Sequence, residues 1–241
     1  MHETTGLQHV RAASKQEEFL DGLRAGLPLV VGLIPFALAY GILAKQVGLT
    51  LAETVSMSVL VFAGAAQFIA VKMYGAGAAA GLIIITVFLI NLRHLLMGAH
   101  LAPYLKRLPL WKQGLLAFGM TDESYVLTAA RFAASNPSPW FQAGASASVF
   151  IPWVLISGLG AGLGNFIANP LSWGLDFAMT ATFIVLLVPQ LKDARTLAVA
   201  GLAGLTALAG AIYLPGKWYI IAAALAGTLA GGVSEELCAR K

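Results

Sequence analysis

Long apolar stretches without a charged side chain alternate with short polar segments along most of the chain. The uncharged runs cover residues 25–44, 54–71, 73–92, 132–175, 177–191, 196–216 and 218–234. A helix that crosses the hydrocarbon of a bilayer needs about 20 mostly apolar residues. The alternating segments of about ten residues that are typical of a membrane β-barrel are not visible. Because helices satisfy their own backbone hydrogen bonds in lipid, the pattern predicts transmembrane helices.

Eight spans are predicted, at residues 24–44, 54–72, 77–98, 112–133, 140–163, 171–191, 196–214 and 217–234. The fourth carries Asp122 and Glu123, so seven crossings remain an alternative. The predicted fold class is an all-α polytopic integral membrane protein with seven or eight transmembrane helices. Residues 1–20 are polar, lack the apolar core of a secretory signal peptide and are predicted to form a cytoplasmic tail. Residues 21–241 are predicted to form one transmembrane domain.

The composition excludes several other classes of protein. Hydrophobic residues make up 59% of the 241 positions and charged residues 11%. Ordinary soluble domains are about 45–50% apolar and about 25% charged, so a soluble enzyme and a disordered chain are excluded. The single cysteine, Cys238, excludes an internal disulfide framework. The net charge of +4 is typical of cytoplasmic loops in a membrane protein and does not indicate nucleic-acid binding.

Lys and Arg in the loops predict the orientation. In the eight-span topology, nine basic residues share the side of the N-terminus: Arg11, Lys15, Arg24, Lys72, Arg131, Lys192, Arg195, Arg240 and Lys241. The opposite side holds Lys45, Lys106, Arg107, Lys112 and Lys217. Cytoplasmic N- and C-termini are therefore predicted, although the cluster Lys106, Arg107 and Lys112 argues the other way.

Two stretches of the chain resemble each other. The sequence Phe62-Ala63-Gly64-Ala65-Ala66-Gln67-Phe68 aligns with Phe177-Ala178-Met179-Thr180-Ala181-Thr182-Phe183. Pro35 and Pro152 precede the two stretches at similar distances, and each is expected to kink or break an apolar helix. Chance similarity between apolar segments is one explanation. The other is an internal repeat with halves at about 24–105 and 140–215, parallel if the fourth span crosses the membrane and inverted if it does not.

Asp122 and Glu123 are the acidic pair of the fourth span. Between Lys112 and Arg131 a single helix would cover about 27 Å, which places the pair near the middle of the membrane. A charge there costs at least about 2.5–3.5 kcal/mol and indicates a functional role by default. The alternative is a re-entrant segment that holds both carboxylates in water at a mouth.

A second polar group occurs in the third span, at Asn91, Arg93 and His94. Asn91 and His94 share one helix face, whereas Arg93 lies about 200° from Asn91. Arg93 therefore either extends to the membrane interface or pairs with Asp122, Glu123 or Asp176. His94 is a packed hydrogen-bonding side chain or a proton relay.

Other features of the spans fit packing as well as function. Gln67 forms an interhelical hydrogen bond or contributes to a binding site. Asp176 caps a helix or lies deeper as an acceptor. Gly22 and Gly26, like Gly160 and Gly164, are four residues apart, a spacing that permits close helix crossings.

Three motifs resemble those of the AzlC-like family, the large subunit of bacterial branched-chain amino-acid exporters. They are Phe62–Phe68, the stretch Asn91-Leu92-Arg93-His94-Leu95-Leu96-Met97 with Leu101-Ala102-Pro103, and Thr121-Asp122-Glu123-Ser124-Tyr125. The resemblance covers about residues 18–234. It implies a bacterial inner-membrane exporter of valine, leucine, isoleucine and related residues such as methionine. It also implies a small, hydrophobic AzlD-like partner subunit.

A secondary exporter of zwitterionic amino acids needs a cation or a helix N-terminus for the carboxylate, an acceptor for the ammonium and an apolar pocket. We expect the substrate site to include Arg93, Asp122, Glu123, Asn91, Gln67, Gly64, Phe68 and Tyr125, near helix breaks at Pro35 and Pro152. Proton coupling is assigned to Asp122, Glu123, His94 and Asp176. No catalytic residue, metal or cofactor is predicted.

Two other functions remain open. An intramembrane enzyme would use Asp122, Glu123 and His94 as an acid–base set and would form product without an ion gradient. A non-transporting membrane scaffold would use its charges only for structural pairing. Variants of Arg93 and Asp122 would then lose assembly and not turnover.

Overall fold

The computed structural model describes residues 14–134, 137–164, 191–214 and 218–239, together with the isolated positions 166, 177, 184, 187 and 188. Regular structure in these ranges is helical, which confirms the all-α prediction. We number the helices α1 (Lys15–Gln46), α2 (Leu51–Leu60), α3 (Gly64–Gly75), α4 (Ala80–Leu105), α5 (Leu110–Phe118), α6 (Asp122–Ala134), α7 (Pro139–Leu163), α8 (Ala194–Tyr213) and α9 (Trp218–Ala239).

Four of these helices, α1, α4, α7 and α8, are long and apolar enough to cross a membrane. They correspond to the predicted spans at 24–44, 77–98, 140–163 and 196–214. Helix α9 coincides with the predicted span at 217–234. The predicted span at 171–191 and the second copy of the proposed repeat motif lie almost wholly outside the described residues. The division into repeat halves therefore stays a prediction.

Helices α1 and α7 run side by side in the same direction and form the most extensive contact of the structure. Glycines bring the two backbones together. A side chain at Gly22 would collide with the carbonyl oxygen of Phe141, and one at Gly41 with that of Ser157. Gly160 of α7 likewise faces the backbone of Leu38. This backbone-to-backbone packing is the mode that small residues allow in membranes.

The prediction of helix breaks at Pro35 and Pro152 is wrong. Both prolines lie inside continuous helices, Pro35 in α1 and Pro152 in α7. A proline removes only its own N–H from the helix ladder, and packed neighbouring helices accommodate that loss in membrane proteins. The breaks occur instead at residues 61–63 and 119–121.

Helices α2 and α3 form a re-entrant hairpin that begins and ends beside the C-terminus of α1. Near its start, the Thr54 carbonyl accepts a hydrogen bond from the Tyr40 hydroxyl at 3.4 Å. At its tip, Gly64 abuts the ring of Phe36, which lies deeper in α1. Gly75, the last residue of α3, returns to Val47 just beyond the end of α1.

Helices α5 and α6 form a second hairpin, which inserts from the opposite side, beside the N-termini of α1 and α7. The Leu116 carbonyl accepts a hydrogen bond from Gln142 of α7 at 3.3 Å. Gly119, at the turn, lies against Ser146 one helical turn deeper. Helix α6 then returns, and its Arg131 contacts Glu18 at 3.2 Å near the start of α1.

The predicted spans at 54–72 and 112–133 are therefore not continuous transmembrane helices. Each is a pair of short helices separated by three residues, and both ends of each pair lie on one side. Residues 15–75 and 80–134 thus have the same arrangement, a long helix followed by a hairpin. The long helix of one runs in the opposite direction to that of the other. The fourth predicted span is thus a hairpin, which fits its re-entrant alternative, and its acidic residues lie at the tip and not at a mouth. The number of membrane crossings stays a prediction.

Candidate functional site

A small cavity of about 30 Å³ lies where the tips of the two hairpins meet the middle of α1, α4 and α7. It admits about one or two water molecules, each of which needs at least about 10–15 Å³. Its lining residues are Leu33, Phe36, Phe62, Ala63, Gly64, Ala65, Arg93, His94, Thr121, Asp122, Glu123, Val149 and Trp153. The two helix breaks thus open onto one site that carries both charges and apolar surface.

An ion pair between α4 and the second hairpin dominates the charged side of the cavity. Nη1 of Arg93 lies 2.6 Å from Oδ2 of Asp122, and the two side chains are 28% and 25% exposed. Such short charge-assisted contacts are the strong ones, and loss of either partner leaves a charge uncompensated. The sequence predicts that Arg93 either extends to the membrane interface or pairs with an acidic residue, and in the structure it pairs with Asp122.

Glu123 adds a second carboxylate to the same wall of the cavity. No salt bridge joins it to a basic side chain within the described ranges. Glu123 is the second residue of α6. Reciprocal hydrogen bonds fix the start of this helix: the Thr121 N–H donates to Ser124 Oγ at 2.9 Å, and the Ser124 N–H donates to Thr121 Oγ1 at 3.4 Å. The positive end of the α6 dipole therefore faces both carboxylates.

The tip of the first hairpin presents a second helix N-terminus to the cavity. Helix α3 begins at Gly64 after Ala63, and no side chain caps it. The first N–H groups of a helix have no partner within that helix, so they attract anionic groups. Gly64 also leaves space for rings, because an added Cβ would lie 2.9 Å from Phe36 and 3.0 Å from Trp153.

Phe62 forms the turn of this hairpin in a left-handed conformation with φ of 42°. For a bulky residue this backbone conformation is uncommon, and it costs about 1–3 kcal/mol. The Phe62 ring is buried and meets Phe150 edge to face at 4.8 Å. Packing of the ring thus holds a strained turn at the cavity.

Aromatic rings form the apolar side of the site. Phe36 lies 5.3 Å from Trp153 and stacks on Phe68 at 4.9 Å, measured between ring centroids. The indole N–H of Trp153 donates to Oε1 of Gln67 at 3.0 Å. The amide of Gln67 donates in turn to Ser58 at 3.3 Å. A buried polar network therefore fixes the orientation of a ring that lines the cavity.

Five of the predicted site or coupling residues line the cavity, namely Arg93, Asp122, Glu123, Gly64 and His94. Gln67 and Phe68 lie behind the cavity, in the polar network and the aromatic stack.

Tyr125 faces away, and its hydroxyl lies 2.8 Å from Nδ1 of His100. Asn91 is also absent from the lining, and its side-chain oxygen is buried with no hydrogen-bond partner among the described residues. Its backbone oxygen lies 3.3 Å from Nδ1 of His94. Asp176 lies outside the described residues.

Sequence reasoning missed the apolar lining, chiefly Phe36, Trp153, Phe62 and Val149. One signal was available, because Phe36 and Trp153 directly follow Pro35 and Pro152. The prolines thus marked the correct depth in both helices, although neither helix breaks there.

This architecture defines a polytopic helical membrane protein in which two interrupted helices meet at one cavity, an arrangement that many transporters use. Comparison with known proteins is more specific. The AzlC protein family model matches residues 28–167, and the chain belongs to this family.

Several relatives are similar over most of their length. An uncharacterized membrane protein of Archaeoglobus fulgidus is 35% identical over 94% of this chain and 100% of the relative. The inner membrane protein YgaZ of Escherichia coli is 31% identical, over 88% of this chain and 87% of the relative. The branched-chain amino acid transport protein AzlC of Bacillus subtilis is 30% identical, over 83% of this chain and 78% of the relative. No solved structure matches the chain.

Proposed function

We propose that this protein is the large subunit of a proton-coupled secondary exporter of branched-chain and related apolar amino acids. One observation carries the proposal: the Arg93–Asp122 ion pair lies on a cavity between two hairpins that insert from opposite sides. The Bacillus subtilis relative is named as a transport protein for such amino acids. An intramembrane charge pair on a cavity is typical of a substrate or ion pathway.

The cavity offers a partner for each part of a zwitterionic amino acid. The uncapped start of α3 at Gly64 and the guanidinium of Arg93 suit the carboxylate. The carboxylates of Asp122 and Glu123 suit the ammonium. Phe36 and Trp153 provide an apolar surface for the side chain, and a hydrophobic pocket of this kind favours aliphatic over polar substrates.

Transport requires the site to open to one side at a time. At about 30 Å³ the cavity is far smaller than a leucine molecule, so the substrate enters only when a hairpin moves. The α2–α3 hairpin closes the site from the side of the α1 C-terminus, and the α5–α6 hairpin closes it from the other. Substrate ammonium competes with Arg93 for Asp122, which links substrate binding to the position of α6.

Glu123 is the favoured proton carrier. Asp122 is compensated by Arg93 at 2.6 Å, whereas Glu123 is in no salt bridge with the described basic residues. A carboxylate without such a partner is the one that gains most from protonation when water is excluded. His94 and Asp176 remain candidates for the rest of the proton path. A small AzlD-like subunit is the proposed partner, and the bacterial inner membrane the proposed location.

The test is efflux of preloaded radiolabelled leucine from cells that lack their own exporters. The chain is expressed with and without an AzlD-like subunit and with and without a protonophore. We expect faster, protonophore-sensitive efflux when both subunits are present. Asp122→Asn and Arg93→Gln should each reduce efflux at least tenfold while the protein stays in the membrane at equal amount.

Asp21→Asn and Arg24→Gln are matched controls, because each removes one charge of an exposed ion pair near the start of α1. These controls should retain efflux within twofold. Normal efflux by Asp122→Asn would remove that carboxylate from the mechanism. Loss of assembly in place of turnover would favour a scaffold, and product formation in detergent without a gradient would favour an enzyme.

A further inference from the structure

A second, larger cavity lies far from the central site, at the end of the molecule where α1, α5 and α7 begin. It is a groove of about 440 Å³ with almost wholly apolar walls. Lys15 is the first residue of α1 and Pro139 the first of α7, so the groove lies at the polar ends of two membrane-crossing helices. Tryptophan at such helix ends is typical of the boundary between lipid headgroups and acyl chains.

Two lysines and two tryptophans form the groove together with the apolar residues. Nζ of Lys15 lies 5.8 Å from the ring centroid of Trp140, and Nζ of Lys112 lies 5.3 Å from that of Trp111. Each ring therefore holds an ammonium group beside the groove. Both lysines thus border one groove, and the remaining lining residues are apolar.

Two acidic side chains in the described first turn of α1 already have partners. Glu17 caps the start of α1 through the Ser14 N–H at 2.6 Å. Glu18 pairs with Arg131 at 3.2 Å. Glu17 keeps its charge, but Lys15 and Lys112 both line the groove, so the local balance favours an anion.

We propose that this groove binds an anionic phospholipid. The phosphate lies between Lys15 and Lys112, and an acyl chain packs along Leu115, Leu116 and Ala143. Charge complementarity selects the headgroup, and the apolar walls select a lipid over a soluble anion. Clusters of basic residues at the membrane surface attract anionic lipids.

The position of the groove gives the lipid a consequence for the rest of the molecule. Lys112 and Trp111 belong to the α5–α6 hairpin, whereas Lys15 and Trp140 belong to the α1–α7 pair. A lipid in the groove therefore connects the hairpin to the two long helices. We expect it to stabilise the hairpin in the position seen here.

Native mass spectrometry of the purified full-length protein tests the proposal. The protein is titrated with phosphatidylglycerol or with phosphatidylcholine of the same acyl chains. We expect phosphatidylglycerol to bind at least fivefold more tightly. The double variant Lys15→Gln/Lys112→Gln should lose this preference, whereas Lys45→Gln/Lys72→Gln, which removes two lysines near the opposite end, should keep it.

A second variant tests whether lipid binding depends on the apolar floor of the groove and not only on surface charge. Ala143→Leu places bulk on the apolar floor without a change of charge, so it should weaken phosphatidylglycerol binding at least threefold. Equal binding of both lipids by the unmodified protein would overturn the proposal, as would an unchanged preference in the lysine double variant. A photo-crosslinker at position 111 that captures a protein partner instead of lipid in the membrane would also overturn it.

Discussion

Trp153 combines two properties that suit a residue that sets substrate size. Its ring lines the central cavity and is 2% exposed, so it has almost no freedom to move aside. Its indole N–H is held by Gln67, which is anchored by Ser58 on the other arm of the hairpin. The orientation of the cavity wall therefore depends on a hydrogen bond that Trp153 donates to a residue behind the cavity.

We expect Trp153→Phe to broaden transport toward larger apolar amino acids. The smaller ring leaves space and cannot donate to Gln67, so the ratio of phenylalanine to leucine efflux should rise at least fivefold. Gln67→Leu should shift the ratio in the same direction, because it releases the indole without a change of the lining. Competition of unlabelled amino acids against leucine efflux measures the ratio.

Trp140→Phe is the control for this prediction, because Trp140 is 42% exposed and lies at the far end of α7. It should leave the ratio unchanged. If Trp153→Phe slows efflux of leucine and phenylalanine equally, the ring supports the structure but does not select the substrate.

Glu123 and Asp122 are neighbours in sequence with different partners, which allows their roles to be separated. Glu123→Gln should reduce proton-driven accumulation of leucine in everted vesicles at least tenfold. Exchange of labelled for unlabelled leucine should continue. The reason is that an amide keeps the hydrogen-bonding shape but carries no titratable proton. Loss of both activities would instead place Glu123 in substrate binding, and retention of both would exclude it as the proton carrier.

At the scale of single residues, the sequence singles out residues that their charge makes conspicuous. Arg93 and Asp122 stand out because charged groups inside apolar runs are rare, and the structure pairs them. Phe36 and Trp153 could not be distinguished from the many other apolar residues. Gln67 was ambiguous, since a polar group in a membrane turns either to a cavity or to a neighbouring helix.

At the scale of the elements, the two hairpins explain why hydropathy predicted single long helices at residues 54–72 and 112–133. A pair of short apolar helices has the same summed hydropathy as one long helix. The tip of the first hairpin gives no polar signal, because Val61, Phe62 and Ala63 are all apolar. The break depends on tertiary packing of Phe62 and Gly64, which a sequence window does not contain.

Cysteine labelling distinguishes a hairpin from a crossing helix. In a Cys238→Ser background, single cysteines replace Leu51 and Tyr74, the exposed ends of the first hairpin. Both should react alike with an impermeant maleimide added to intact cells, because both lie on one side. Cysteines at Leu110 and Ala134, the ends of the second hairpin, should also behave alike, but opposite to the first pair.

A helix that crosses the membrane without a break would give a different labelling result. A continuous helix would place Leu51 and Tyr74 on opposite sides, so only one of them would react in intact cells. The same holds for Leu110 and Ala134. Reaction of all four positions after permeabilisation is the control for accessibility.

The α1–α7 contact depends on glycines that the sequence spacing identified in part. Gly41→Leu should sharply reduce the yield of monodisperse protein in detergent, because its side chain would meet the backbone of Ser157. Overpacking of this kind costs about 1–3 kcal/mol or more. Gly32→Leu in the same helix is the matched control, since no atom lies within 4 Å of an added Cβ. Equal yields of Gly41→Leu and Gly32→Leu would show that close contact between α1 and α7 is not required.

At the scale of the whole molecule, the hairpins change the distribution of charge. In an eight-span topology, Lys106, Arg107 and Lys112 oppose the N-terminus and contradict the orientation. In the hairpin topology these residues lie on the side where α1 and α7 begin, together with Lys15, Arg24 and Arg131. The opposite side of residues 14–134 holds Lys45 and Lys72. Six basic residues thus stand against two, and within these residues the cluster Lys106, Arg107 and Lys112 agrees with the predicted orientation.

This distribution predicts that the side where α1 and α7 begin faces the cytoplasm, since basic residues in short loops are retained there. A green fluorescent protein fused to the N-terminus should fluoresce in E. coli, and alkaline phosphatase fused after Ala78 should be active outside. Fusion of the phosphatase after Leu108 should be inactive, because α4 returns the chain to the cytoplasmic side. Replacement of Lys106, Arg107 and Lys112 by glutamine should weaken this preference and produce a mixed population. An active phosphatase after Leu108 would instead invert the assignment and place the lipid groove in the outer leaflet.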